Sequence, residues 1–451
     1  MKRGIALSAV IWGLLFVARA ALPAPSSLSN AASLALSDDP ATAAAAVQTL
    51  RSAGPAGLLA FLERHHSKLA SHDPGSLEQE DAESIRVRAA LDAVGGQRDC
   101  DLSRLFWYTD LVAAKAAARD THKPILSLRL LGKLTDEFSC ANSRYFRTAL
   151  YANHEISDYL RAHFILHWQT ERPAPRVTID FGDGRKLETT LTGNSIHYVL
   201  DAEGRPFDAL PGLYGPQAFL KALKSIEAGF SEIAWHDDNA RPAGLTRYHQ
   251  LHARLAREAW HRELIEFKVP IPVQAPNGQK AQAPKRVDAR VAAARAMTKS
   301  VTEIPVLAAI TQPSGDLLRA ATTNNAWSLL GKRHAEDARL DESSRSLMRR
   351  QNGIPGIPAN VLDSSLPEGE ARFLAMVASF ESAMAIDTVR NEFDLRRQLH
   401  EWMAETPDVR LEDLNQRVYA ELFLTPRSDA WLGLADPTTY TALENGGRRD
   451  H

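Results

Sequence analysis

The sequence predicts an α/β protein: a central α/β unit flanked by mainly α-helical N- and C-terminal regions. Three observations lead there. Within residues 101–230, short apolar runs of buried-strand type alternate with helical stretches. On either side, apolar residues recur mainly at the helical period. The length, 451 residues, exceeds what one compact core comfortably serves. The expected division is a signal peptide over 1–20, a helical region over 21–100, the α/β unit over 101–230 with a hairpin insertion at 172–193, and a mainly helical region over 231–451.

Lys2 and Arg3 precede an apolar run over residues 5–17, and Ala18-Arg19-Ala20 supplies the small-x-small pattern read by signal peptidase. The run is shorter than the roughly 20 residues a membrane-spanning helix needs. Cleavage before Ala21 is expected, with a retained N-terminal anchor as the alternative. No later segment is long and apolar enough to span a bilayer, so the mature protein is expected to be periplasmic or secreted. Residues 23–34, rich in Ala, Pro and Ser, read as a linker. Charged residues make up 24% of the chain and the formal net charge is -2, which leaves no basic excess for a general nucleic-acid binder. Arg349-Arg350 and Arg396-Arg397 read as solvated helix faces.

The N-terminal region is predicted helical over 41–69, interrupted at Gly54-Pro55, and again over 85–94, closed by Gly95-Gly96; His72 to Ser76 reads as a loop. In the central unit, Thr109 or Asp110 caps an Ala-rich helix over 111–119, which Lys123-Pro124 ends. Strands follow over 125–131 and 164–168, with helices over 140–152 and 156–162 between them. These two strands are expected side by side and parallel, joined by a right-handed crossover, with 196–200 in the same sheet. Alternating residues around Asp183-Gly184 predict a hairpin with a type I′ turn. A second hairpin joins 196–200 to 207–210 across Asp201-Ala202-Glu203-Gly204, and Gly215-Pro216 opens a helix through 222. Further on, helices are predicted over 248–267, 373–403 and 411–423. The proline-rich stretch 269–285 reads as a loop, and the tail 424–447 as irregular, with Trp431-Leu432-Gly433-Leu434 free to dock onto the core.

Trp107-Tyr108-Thr109-Asp110-Leu111, the following Ala-rich helix, Lys123-Pro124-Ile125-Leu126, the 156–165 segment ISDYLRAHFI, and the closing Val199-Leu200-Asp201 and Leu210-Pro211-Gly212 segments occur in one order. That order and those motifs resemble exported thioredoxin-like domains, over roughly a quarter to a third of the chain, the usual size of one domain. The resemblance implies a thioredoxin fold with a cysteine at the start of the helix after the first central strand, here Cys140. Two departures stand out. Where the family carries C-x-x-C, Ser139-Cys140-Ala141-Asn142-Ser143 offers C-x-x-S, and near Asn194-Ser195, where the family places a cis-proline, there is none.

A thiolate at a helix start is stabilised by unpaired N–H groups and the positive end of the helix dipole. Ser143, one turn on, is positioned to hydrogen-bond the sulfur, and Arg144 is a candidate cationic neighbour. The chain holds two cysteines, and Cys100 is the one available resolving or pairing partner. Two readings follow: a thiol-redox module acting through Cys140, Cys100 and Ser143 on an unknown protein or thiol client, or a redox-inert binding or scaffold module whose cysteines are paired or buried. No cofactor or metal is implied: no P-loop, dinucleotide fingerprint, G-x-S-x-G or zinc-type Cys/His spacing is present. His249, His252 and His261 read as surface histidines. Asp180, Asp183 and Glu188 read as hairpin chemistry rather than a calcium loop, and His163 and His167 as strand-edge histidines satisfied by backbone.

Overall fold

The computed structural model describes residues 25–70, 81–233, 240–268, 288–310, 327–354 and 368–434. The expected signal peptide, the 72–76 loop and the proline-rich stretch lie outside the described residues. The chain forms a mixed α/β structure in which helices flank a five-stranded sheet.

The N-terminal helices are α1 (Pro25–Leu34), α2 (Pro40–Ser52), α3 (Pro55–Arg64), α4 (His66–Ala70), α5 (Ala82–Gly95) and α6 (Cys100–Ser103). The segment expected as a linker is α1. Its Leu28, Ala31 and Ala32 are buried in one core with Leu50, Leu58 and Phe61. Tertiary burial of this small-residue face outweighs a composition that favours a linker. Helix α5 starts at Asp81, whose carboxylate accepts the Ser84 N–H, and stops where Gly96 turns left-handed at φ 74°.

The sheet comprises β1 (Trp107–Tyr108), β2 (Ile125–Leu131), β3 (Ile165–Arg172), β6 (Ile196–Leu200) and β7 (Pro206–Pro211), in the order β1-β3-β2-β6-β7. Strands β4 (Arg176–Asp180) and β5 (Lys186–Thr190) pair separately as an antiparallel hairpin. β1 and β2 run parallel to β3, with Ile125 opposite Ile165, while β6 is antiparallel to both β2 and β7. The expected side-by-side placement of 125–131, 164–168 and 196–200, the first two parallel, is therefore what the chain adopts. All seven residues of β2 are buried, as a doubly covered central strand requires, and its two polar members are partnered on β3, Ser127 by His167 and Arg129 by Glu171.

Helix α7 (Leu111–Thr121) joins β1 to β2, and Asp110 caps it by accepting the Val112 N–H. Its inner face is Ala114 and Ala118, small enough to bring the helix close to the sheet. Between β2 and β3 run α8 (Ala141–Tyr145), a continuing π-helical segment Phe146–Tyr151, and α9 (His154–His163). All six residues of the π segment are buried. The β4–β5 loop departs from the expected type I′ turn. Positive φ falls at Gly182 and Gly184 rather than at Asp183 and Gly184, and Asp180 and Asp183 each accept an N–H two residues on.

Helix α10 (Pro216–Ile233) closes the central unit, and α11 (Arg241–Glu266) begins the C-terminal helices. These continue as α12 (Ala289–Ala293), α13 (Met297–Ile310), α14 (residues 327–333), α15 (Glu342–Asn352), α16 (Glu368–Arg390), α17 (Arg397–Glu405) and α18 (Leu411–Arg417). One apolar core runs from the sheet residues Ile125, Leu166 and Tyr198 into Phe373, Leu399 and Leu422. The tail docks as expected through Leu432, 1% exposed in that core, while Arg172 donates to the Asp429 and Ala430 carbonyls.

Of the paired arginines, Arg397 stays partly exposed and pairs with Asp394 and Glu401 on its own helical stretch, whereas Arg349, Arg350 and Arg396 do not lie on solvated faces. Arg350 is held by Asp99 and Asp101, Arg349 by both oxygens of Glu370, and Arg396 is buried against Asp208. Each joins a C-terminal helix to another segment, a context that local sequence does not carry. Among the described residues, no helix is long and apolar enough to cross a membrane.

Candidate functional site

Strand β2 ends at Gly132, whose φ of 79° turns the chain out of the sheet. The loop returns so that the Cys140 N–H donates to the Leu131 carbonyl at 3.0 Å, and Cys140 becomes the residue preceding α8. The cysteine thus sits at the helix start after the first long central strand. Its Sγ is 3.1 Å from Ser195 Oγ and 3.6 Å from Ser143 Oγ. Ser143 Oγ also donates to the Cys140 carbonyl at 2.9 Å, which holds that hydroxyl against the helix start. Arg144 does not face the sulfur. Its guanidinium donates to the Ser139 carbonyl and to Thr190 Oγ1, both at 2.7 Å, and fastens the loop to the inserted hairpin.

The loop before β6 closes over the cysteine. Thr192 is left-handed at φ 60°, and Gly193 comes so close that an added Cβ would stand 2.1 Å from Cys140 Cβ. Asn194 Oδ1 accepts from Asn142 Nδ2 at 3.2 Å and from Lys299 Nζ at 3.3 Å. The Asn194 carbonyl accepts from Tyr419 Oη at 3.0 Å. Helix α13 forms the outer cover. Lys299 and Glu303 lie one helical turn apart with their charged atoms 3.8 Å apart, and Glu303 Oε2 accepts the Thr192 N–H at 3.0 Å. Both side chains are buried, at 0% and 1% exposure. Burial raises the Glu303 carboxyl above its ordinary range against the opposing pull of Lys299. Cys140 itself has no exposed surface.

Cys100 does not join this site. It packs in the N-terminal helical core beside Gly95, and its thiol donates to the Leu105 carbonyl at 3.6 Å. Burial, then the charges of Asp92 and Asp101, push that thiol well above the usual cysteine range. Both cysteines are free and buried, and they belong to different apolar clusters. The expected pairing is therefore not formed: α6 turns Cys100 into the N-terminal core, whereas Cys140 faces the β6 loop.

The flanking histidines are also occupied elsewhere. His167 is bonded to Ser127 Oγ at 2.8 Å, a side chain rather than backbone, and burial with Arg129 pushes it down to about 4. His163 pairs with Glu227 at 2.7 Å and stacks on Tyr159. His249, expected at the surface, is fully buried. Its Nδ1 is 2.8 Å from His400 Nδ1, in a cluster where Asp208 bonds Tyr248 and Arg396. Burial alone would raise the Asp208 carboxyl, but Arg396, followed by His400 and His249, holds it well below the ordinary range. The cluster fastens α11 and α17 to β7. Among the described residues, no group of three or more His, Cys, Asp or Glu side chains is placed to hold a metal.

Sequence reasoning found Cys140 and Ser143 and marked Asn194-Ser195 as the position where the resembled family carries its cis-proline, but missed Gly193, Lys299, Glu303 and Tyr419. One local signal was available. Lys299 and Glu303 are an i,i+4 opposite-charge pair inside a helix that is otherwise mostly apolar and uncharged. The chain matches no protein-family model, no curated protein and no solved structure.

Proposed function

We propose that this is an exported protein whose central unit has the thioredoxin fold, with the redox position sealed and the fold serving as a binding and scaffold module. In support of the fold, three parallel strands precede two antiparallel ones in the order β1-β3-β2-β6-β7, and Cys140 stands at the helix start after β2. In support of the function, one observation carries the reading. The Cys140 sulfur has no exposed surface and lies under Gly193 and Ser195, in a loop that the buried Lys299–Glu303 pair of α13 holds through Asn194 and Thr192. Thiol–disulfide exchange needs in-line approach of a second sulfur to the thiolate. The space that a client disulfide would occupy is filled here by the protein's own β6 loop and C-terminal helix. Ser143, which occupies the second-cysteine position of the motif, cannot form a disulfide, and Cys100 is committed to another core.

Native-state thiol titration tests this reading. With a disulfide-exchange reagent and no reductant, the folded protein is expected to show no fast-reacting thiol. After urea unfolding, both cysteines of the chain are expected to react. Rapid, stoichiometric labelling of Cys140 in the native protein, or reduction of a model disulfide that Cys140→Ser abolishes, overturns the proposal.

A further inference from the structure

An apolar cleft lies at the end of the sheet away from β7, where α3 and α4 face the β1–β3 edge. It is a cleft of about 570 Å3, within the range of small-molecule sites. Its walls are apolar: Leu58, Leu59 and Leu62 from α3, Phe106 ahead of β1, and Phe164 and Leu166 at the start of β3. Leu59 is 56% exposed although it lines a concave surface.

The rim is cationic. Arg104, Lys123 and Arg161 border the cleft, with His66, against the single carboxylate of Glu63. Arg161 is matched by Asp158. Lys123 Nζ donates to the Arg161 carbonyl at 3.1 Å and has no carboxylate partner among the described residues. The exposed guanidinium of Arg104 likewise has no acidic partner among the described residues. Two unmatched cations therefore stand at the mouth of a hydrocarbon-lined cleft. An apolar wall favours a ligand that sheds water along its length, and the rim favours one anionic end.

From this complementarity we propose that the cleft binds a free long-chain carboxylate, its hydrocarbon along Leu58, Leu62, Phe106 and Leu166 and its carboxylate at Arg104 and Lys123. The proposal goes beyond the sealed-thiol reading and does not depend on it.

Calorimetric titration of the purified mature chain with dodecanoate, dodecan-1-ol and acetate tests the proposal. Dodecanoate is expected to bind saturably and about tenfold more tightly than the alcohol, the scale of one charge-assisted contact. Acetate is expected not to bind. The R104Q/K123Q variant should lose about tenfold for dodecanoate and leave the alcohol unchanged, whereas Leu59→Glu, at an exposed position safe for folding, should weaken both. Each of four outcomes overturns the proposal: no saturable dodecanoate binding; equal binding of acid and alcohol; association with phosphatidylglycerol vesicles but not with monomeric dodecanoate; or a dimer that Leu59→Glu dissociates, which would assign the cleft to a second copy of the chain.

Discussion

Replacing Lys299 by methionine removes one charge from the buried pair that holds the loop over Cys140 while keeping a chain of similar length. In the native protein the ammonium lies 3.8 Å from Glu303 and 3.3 Å from Asn194 Oδ1, with no exposed surface. Breaking a buried pair on one side typically costs about 3–5 kcal/mol, because the remaining charge stays desolvated. Glu303 offers a partial escape, since its carboxyl already lies above the ordinary range and can take up a proton. The sign follows from that. A carboxyl raised in the folded state adds stability that is fully present below its unfolded pKa and is lost as pH rises through its folded pKa. Without Lys299 the folded pKa rises further, so the deficit should be small at pH 5 and approach about 3 kcal/mol at pH 8. Urea unfolding followed by tryptophan fluorescence at both pH values measures it. The K299M/E303Q double variant removes the stranded charge, and its amide oxygen can still accept the Thr192 N–H, so it should recover at least half of the loss. Native-state labelling of Cys140 should accelerate in Lys299→Met and slow again in the double variant. Equal, pH-independent deficits in both variants would refute the argument, because they would mean that packing rather than charge is what Lys299 supplies.

Gly193→Ala should destabilise the protein by about 1–3 kcal/mol or more through overpacking, because the new methyl would meet Cys140 Cβ at 2.1 Å; Cys140→Gly in the same chain should relieve part of this, and a double-mutant cycle by chemical denaturation measures the coupling. Asp92 accepts the Cys100 N–H at 2.8 Å and is raised to about 7, chiefly by burial. Its contribution to stability is therefore full at pH 4 and lost as pH rises through 7, so thermal melts of Asp92→Asn should gain on the native protein across that interval. His197, pushed down to about 3 by burial and bonded to Tyr151, acts in the opposite sense. Its contribution is present above pH 6.5 and lost as pH falls toward 3, so the melting temperature of His197→Gln should fall less than the native one between pH 6.5 and 4. Leu432→Ala, at a position 1% exposed, should cost about 2–4 kcal/mol and make the tail protease-sensitive in limited-digestion assays.

Local sequence determined much of this protein. Asp81, Asp110 and Gly96 mark helix ends because a carboxylate cap or a left-handed residue acts within one turn of chain. The buried run 125–131 and the two hairpins are legible for the same reason, since period and turn chemistry are local. The placement of Cys140 at a helix start with Ser143 one turn on also follows from adjacent residues. Four features required the assembled fold. The 23–34 segment is helical because its alanines find Leu50 and Phe61. The β4–β5 turn spread into a five-residue loop once Gly182 and Gly184 shared the positive φ angles. His249 is buried because α17 brings His400 against it. Above all, Cys140 is sealed by residues 52 to 279 positions further along the chain, from Thr192 to Tyr419. A helix dipole and a neighbouring hydroxyl are properties of a few consecutive residues, whereas access to a sulfur depends on every segment that packs around it, and that is decided by the tertiary structure.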